Sequence, residues 1–195
     1  MKRIFDLLSA LTGLLLTFPI LLVISLIIVL SDGWPIFFKQ QRVGKGNKLF
    51  MLYKFRSMTV LKSAEKGSFD AGNSSRVTSI GRILRKTKLD ELPQLINVLK
   101  GDMSVVGPRP EVEKWTQVYP ERWAKILSVR PGITDNASIK FRDEEAILNQ
   151  AVDPIACYRN EILPVKLGIY EEYVDSRSFW GDVKIVISTI LAVVK

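Results

Sequence analysis

Two adjacent carboxylates, Asp90 and Glu91, stand in the stretch TKLDELPQ (residues 87–94). Arg76, Arg82, Arg85, Lys86 and Lys88 precede them, and Lys100 and Arg109 follow. A carboxylate pair among fixed cations is suited to chemistry on phosphate. The surrounding cations suit recognition of a phosphorylated partner. The plain alternative is helix capping, the commoner use of an aspartate at such a place. Thr87 and Asp90 fit a capping box, or Asp90 is itself the N-cap with Pro93 in the first turn. Either way the pair lies at a helix start, whose dipole favours ionised Asp90.

The chain contains no histidine. That excludes Ser-His-Asp and Cys-His catalysis, His-ligated zinc and an imidazole base, leaving carboxylates, Lys, Arg, Tyr, hydroxyls or a bound metal to do any chemistry. A net charge of +8 in 195 residues points to polyanionic partners: phosphorylated substrates, anionic lipid or nucleic acid. The single cysteine, Cys157, reads as a reduced, partly buried residue of a cytosolic compartment.

The elements that must position these groups begin with an uncharged run, residues 7–30, LLSALTGLLLTFPILLVISLIIVL. As a straight helix of about 36 Å it is long enough to cross a bilayer. Two features oppose a simple span. Pro19 lies at its midpoint, where a sharp bend is expected. Basic residues also flank both ends, Lys2 and Arg3 before and Lys39, Arg42, Lys45 and Lys48 after, whereas a spanning helix carries them on one side.

Residues 36–58 read as a β-hairpin around GKGN, with Lys54 and Arg56 on one face of its second strand. Residues 62–76, polar and glycine-containing, read as a surface loop. IGRILRKT is predicted to be a short helix capped by Thr78 or Ser79, with Ile80, Ile83 and Leu84 inward and Arg82, Arg85 and Lys86 outward. Leu89, Leu92, Leu95, Ile96 and Leu99 predict a second helix ended by Gly101. Pro108 and Pro110 stiffen the loop that presents Arg109, and Arg130-Pro131-Gly132 repeats the device. The terminal FWGDVKIVISTILAVVK has a helical apolar face: a core helix, or one lying in a membrane interface with Trp180 as anchor and Lys184 and Lys195 near headgroups. Trp115, Tyr119 and Trp123 are expected in the core, the membrane boundary being their other use.

The order of these motifs (KRIFD and a proline-broken apolar helix, FFKQQRVG, LYKFRSM, IGRILRKTKLDELPQLINVLKGDMSVVGPRPE and VRPGIT) closely resembles the bacterial sugar transferase family, small monotopic polyprenyl-phosphate phosphoglycosyl transferases. The match runs from about residue 2 to Thr134, with a weaker one at DVKIVISTI. The resemblance implies a mainly α fold with a small β-hairpin (α+β). Residues 1–35 would form a re-entrant membrane helix broken at Pro19, and residues 36–195 a cytosolic catalytic domain with interfacial amphipathic helices. It implies transfer of a sugar 1-phosphate from a UDP-sugar to undecaprenyl phosphate with release of UMP, the first membrane step of capsule, O-antigen or exopolysaccharide assembly. The site implied is at the cytoplasmic face of the bacterial inner membrane, among membrane lipid, with self-association into a homo-oligomer left open and no nucleic acid as partner.

The family's two-step reaction passes through a phosphosugar on the aspartate of the DE pair, with magnesium. Carried over, Asp90 is the nucleophile, Glu91 with Asp90 is associated with Mg2+, and Lys54, Arg85, Arg109 and Arg142 match basic positions lining the phosphate site. Two departures stand out. Phe18 precedes Pro19 where the family usually has Ser, and the segment after GIT reads DNASIKFR where many members have GLAQVNGR. Two other readings remain: a one-step transferase with Asp90 only a metal ligand, and a non-enzymatic, membrane-tethered basic module binding anionic lipid or nucleic acid.

Overall fold

The computed structural model describes residues 1–60 and 76–194. Apart from Arg76, the expected surface loop lies outside those residues, as does Lys195. The chain is mostly helical. α1 (Lys2–Asp32) leads into the antiparallel hairpin β1 (Phe37–Val43) and β2 (Leu49–Phe55), then α2 (Ser79–Lys86), α3 (Gln94–Lys100), β3 (Ser104–Val106), α4 (Glu113–Thr116) and α5 (Pro120–Ile126). After β4 (Gly132–Thr134) come α6 (Asn136–Lys140), α7 (Glu144–Gln150), α8 (Pro154–Cys157), a π turn (Tyr158–Ile162), α9 (Leu163–Ser176) and α10 (Phe179–Val194).

The hairpin pairs Phe37 with Phe55 through Val43 with Leu49, and its turn is the expected glycine-rich one. Gly46 and Asn47 adopt positive φ there, 65° and 62°, the conformation glycine and asparagine tolerate best. β3 and β4 form a second, parallel pair, Ser104 opposite Gly132 and Val106 opposite Thr134. They lie so close beyond Val106 that a Cβ on Gly132 would stand 2.1 Å from the Gly107 nitrogen.

α1 runs as one hydrogen-bonded helix across the proline at which a sharp bend was expected. Pro19 neither ends nor divides it: Lys2–Asp32 is a single helix with Pro19 inside. The reason lies in what flanks the proline. Ala10 packs with Leu52, Val98 and Met103 on one side of it, and Ile24 and Ile28 pack with Phe55 and Leu84 on the other. The buried positions 6, 10, 24 and 28, with Gly13 against Leu95, follow the 3.6-residue period and hold one face to the domain on both sides of the proline. The opposite face leaves Leu8, Leu11, Leu15, Leu16, Leu22, Val23 and Leu26 exposed. α1 is the one described helix long and apolar enough to cross a membrane.

α2 is capped as expected, the Thr78 hydroxyl accepting from the Gly81 nitrogen at 3.0 Å. Of its three predicted inward residues Leu84 is buried and Ile80 packs half-buried beside it, but Ile83 is 58% exposed. An eight-residue helix has room for only one buried row, and Gly81 and Leu84 fill it. The leucine stripe of the next helix is likewise not the innermost one. Leu95 and Leu99 pack at the edge of the Ala10 cluster, while Asp90, Glu91, Gln94, Asn97 and Val98 are the buried residues. The polar side of this helix faces in, and that builds the site.

Trp115, Trp123, Tyr158, Leu163, Leu167 and Tyr170 belong to the largest core cluster, so Trp115 and Trp123 are core residues; Tyr119 packs at its edge. α10 packs on one side and is open on the other: Asp182 and Ile185 are buried, while Phe179, Trp180, Ile187, Ile190 and Leu191 are exposed.

Candidate active site

Asp90 and Glu91 sit in a 3-10 turn (Leu89–Glu91) between α2 and α3. Lys88 enters that turn in the left-handed region, φ 57°, which swings both carboxyl groups inward. Neither capping geometry is present. α3 begins at Gln94 behind Pro93, with no side-chain cap, and the Thr87 hydroxyl turns back to donate to the Ile83 carbonyl at 2.8 Å. Asp90 is thus released from the structural duty that its position predicted.

The two neighbours differ sharply in their partners. Glu91 Oε1 accepts from Lys54 Nζ at 2.9 Å and from Arg109 Nη2 at 2.6 Å, and Oε2 accepts from Arg109 Nη1 at 3.2 Å. Asp90 forms no such bond, and its Oδ1 is fully buried without a hydrogen-bond partner. Lys54 comes from β2, and Arg109 from the Pro108–Pro110 loop after β3, so two elements distant in sequence converge on one glutamate.

Electrostatics follow from this geometry. Burial works against charge on Glu91, but Arg109 and then Lys54 outweigh it and hold the carboxyl well below the usual glutamate range. Burial pushes the Asp90 carboxyl above an ordinary aspartate's; Lys54 opposes that rise, and the Glu91 charge adds to it. The direction is opposite to the lowering that a helix dipole alone would give. Burial lowers Lys54, partly countered by Glu91, and Glu91 raises Arg109 well above its usual value. The result is one carboxylate neutralised by two cations and one left without a donor. An unpaired buried acceptor is costly, on the order of 1–3 kcal/mol or more for a charged group, and sites of reaction are where such cost is retained.

Arg85 stands near enough for its charge to act on Asp90, while its guanidinium pairs with Glu145 of α7 at 2.6 Å. Its predicted outward direction is corrected to a half-buried one. Arg142 has no bond to either carboxylate; its guanidinium donates to the Ala192 carbonyl of α10.

No cluster of three or more His, Cys, Asp or Glu suited to a metal occurs among the described residues. Mg2+ needs no such cluster, since it commonly takes one or two carboxylates together with substrate phosphate oxygens. The unpartnered Asp90 oxygen fits that demand. Glu91, saturated by its cations, fits only by giving up part of its pairing.

The family model for bacterial sugar transferases matches residues 1–195. This chain belongs to that family. The transferase is 40% identical over 190 residues to the uncharacterized sugar transferase EpsL of Bacillus subtilis, covering 97% of this chain and 85% of that one. It is 37% identical to the UDP-N-acetylgalactosamine-undecaprenyl-phosphate N-acetylgalactosaminephosphotransferase of Aeromonas hydrophila, over 97% of this chain and 42% of that one. It is 38% identical to the UDP-glucose:undecaprenyl-phosphate glucose-1-phosphate transferase of Escherichia coli, over 97% and 39%. The chain thus spans most of the first relative and about two fifths of the other two.

Behind the carboxylate pair, the transferase carries a buried polar layer that its sequence did not reveal. Arg42 donates to Glu111 at 3.2 Å and to the Pro110 carbonyl at 3.1 Å, and the Tyr158 hydroxyl donates to Glu111 at 2.5 Å. Asp135 caps α6 by accepting from the Ser138 nitrogen at 2.9 Å, which gives the DNASIKFR segment a local role. Lys166, also buried, pairs with Glu144 at 2.5 Å. The only advance signal was Glu111 inside the quoted GPRPE.

Proposed function

We propose that this transferase moves a sugar 1-phosphate from a UDP-sugar to undecaprenyl phosphate, releasing UMP, at the cytoplasmic face of a bacterial inner membrane. The observation that carries the reading is the unpartnered, buried Asp90 oxygen beside a glutamate that already holds Lys54 and Arg109. Relatives whose names state such transfers support the substrate class.

In the first step an Asp90 carboxylate oxygen bonds to the sugar-bearing phosphorus of the donor. The bridging P–O bond breaks and its electron pair leaves with UMP. In the second step a phosphate oxygen of the lipid bonds to the same phosphorus, and the Asp90 oxygen departs as carboxylate. Both nucleophiles are anions, so neither step needs a general base, in keeping with a chain without histidine. Arg109 and Lys54 lie where charge accumulates, held in place by Glu91, and Arg85 adds to the positive field. Asp90, with Glu91 beside it, would hold Mg2+ together with substrate phosphate oxygens, and the ion when bound would supply further neutralisation of the diphosphate. Arg142 keeps a place in the proposal only as a residue of the neighbouring segment.

Membrane attachment is proposed to be monotopic and re-entrant. Both ends of α1 pack on the same domain, and its outer face exposes a leucine-rich surface. Phe5 meets Phe179 edge-on at 5.4 Å, which joins that surface to the exposed face of α10. A continuous apolar patch of this kind marks a lipid contact. Residues 1–35 and 36–195 then act as one body in the interface.

The test is turnover of UDP-glucose, UDP-galactose and UDP-N-acetylgalactosamine with undecaprenyl phosphate, following UMP and lipid-linked sugar. The expected result is equimolar UMP and lipid product with at least one donor, abolished by Asp90→Asn. Formation of free sugar phosphate without lipid product, or full activity of Asp90→Asn, would refute the proposal.

A further inference from the structure

The first turns of α1 hold more than the membrane. Asp6, 2% exposed, accepts from the Ser104 hydroxyl at 2.8 Å and from the Val105 nitrogen at 3.1 Å. Lys2 donates to the Val106 carbonyl at 3.0 Å and pairs with Asp182 at 2.6 Å. Arg3 donates to the Leu99 carbonyl at 3.3 Å and that of Met103 at 3.5 Å. Every residue of β3 is therefore fixed by the KRIFD turn, through side chain or backbone.

β3 is the strand from which the Arg109 loop departs, three residues after Val106. That short path has little freedom. Gly107 donates to the Thr134 carbonyl at 3.1 Å and Gly132 donates to the Pro108 carbonyl at 2.9 Å. Pro108 and Pro110 fix φ on either side of Arg109. A displacement of β3 has nowhere to be absorbed before it reaches the guanidinium, whose bonds to Glu91 depend on a two-pronged fit.

We propose that Asp6 is a positioning residue for Arg109, so that α1 serves the lipid-independent half of the reaction as well as membrane attachment. The inference rests on the two-step reading above. Loss of the Asp6 carboxylate leaves the Val105 N–H without its acceptor and lets β3 shift against α1. Arg109 then meets the donor's diphosphate out of register, and small misplacements of this kind cost about 10²-fold in rate.

The experiment is rapid-quench, single-turnover labelling of the full-length protein in nanodiscs, with UDP-sugars labelled in the sugar-bearing phosphate and no polyprenyl phosphate added. Asp6→Ala is expected to slow labelling about 10²-fold. Asp6→Asn, which keeps an oxygen acceptor, should recover most of the rate. In an Arg109→Ala background, adding Asp6→Ala should cost no more than about threefold further, because residues acting through one another are not additive. Labelling by Asp6→Ala at the wild-type rate, or a full multiplication of the two losses, overturns the inference. A wild type that carries no label overturns the covalent reading instead. The same comparison is then made on steady-state turnover, where equal rates for Asp6→Ala and wild type overturn the positioning role.

Discussion

Arg109 grips Glu91 through two guanidinium nitrogens, at 2.6 and 3.2 Å, while Asp90, next in the chain, receives a bond from neither Arg109 nor Lys54. Two adjacent acids thus acquire opposite characters. Glu91 anchors the cations, and Asp90 keeps an open oxygen. The division arises from backbone geometry, since left-handed Lys88 and the 3-10 turn present the two carboxyl groups at different angles to the same cationic cluster.

Replacing Glu91 by Gln removes the anchor. Lys54 and Arg109 would lose their shared counter-ion, and the fold should lose about 2 kcal/mol, the scale of a charged hydrogen-bonded contact. Transfer should fall by about 10²–10³-fold, as when a preorganised charge group is lost. Thermal unfolding and turnover measured on the same sample check both. Unchanged melting with unchanged turnover would contradict the anchor role.

Arg109→Lys keeps the charge but removes the two-pronged geometry. A lysine reaches only one oxygen at a time, so kcat/KM should drop about 10²-fold with little change in unfolding temperature. Steady-state kinetics with a UDP-sugar as varied substrate would show it. A loss under threefold would mean that charge alone suffices.

Titration should separate the pair. In the metal-free protein, carboxyl-labelled carbon-13 NMR should place Asp90 above an ordinary aspartate and Glu91 well below an ordinary glutamate. The signs oppose one another in stability. A raised folded value means that Asp90 favours folding below its unfolded value, a contribution lost as pH rises through the folded one. A depressed value means that Glu91 favours folding above its unfolded value, a contribution lost as pH falls through the folded one. As acid is added, Asp90 therefore loses its charge before Glu91 does. The reverse order would contradict the electrostatic account.

Gly81→Ala tests how α2 carries Arg85. A Cβ there would stand 2.0 Å from the Ser57 carbonyl oxygen, a backbone atom that no side-chain rotation can move aside. Overpacking of this sort costs about 1–3 kcal/mol, so the melting temperature should fall and Arg85 should shift with its helix. An unaltered melt would show that α2 can slide freely on the hairpin end.

Much of this frame was legible in the sequence because local chemistry dictates it. GKGN sets the hairpin turn, Thr78 caps α2, and Gly101 ends α3 with φ 93°. Lys54 and Arg109 were implied by the resemblance as phosphate-site cations; that both would pair with Glu91 was not foreseen, because they come from a strand and a loop distant in sequence. Capping by Asp90, the plain alternative, could not be set aside from the sequence, because local pattern does not show that α3 starts at Gln94 behind Pro93 or that the Thr87 hydroxyl points backward. Ile83 was assigned inward by period alone, although none of the described residues buries that side of α2. The Arg42–Glu111–Tyr158 layer was invisible for a simpler reason: its members lie 69 and 47 positions apart, beyond any periodic signal. Pro19 was expected to bend α1 sharply; it lies within one continuous helix that packs on the domain on both sides of it.

The most direct measurement of the central claim is recovery of the labelled peptide itself. Full-length protein is incubated with a UDP-sugar labelled in the sugar-bearing phosphate, without lipid acceptor, then quenched, digested and sequenced by mass spectrometry. The account predicts a phosphosugar adduct on Asp90, discharged when undecaprenyl phosphate is added and absent from Asp90→Asn. Lipid-dependent turnover with no adduct on Asp90 under any quench, or an adduct on Glu91 instead, would contradict it.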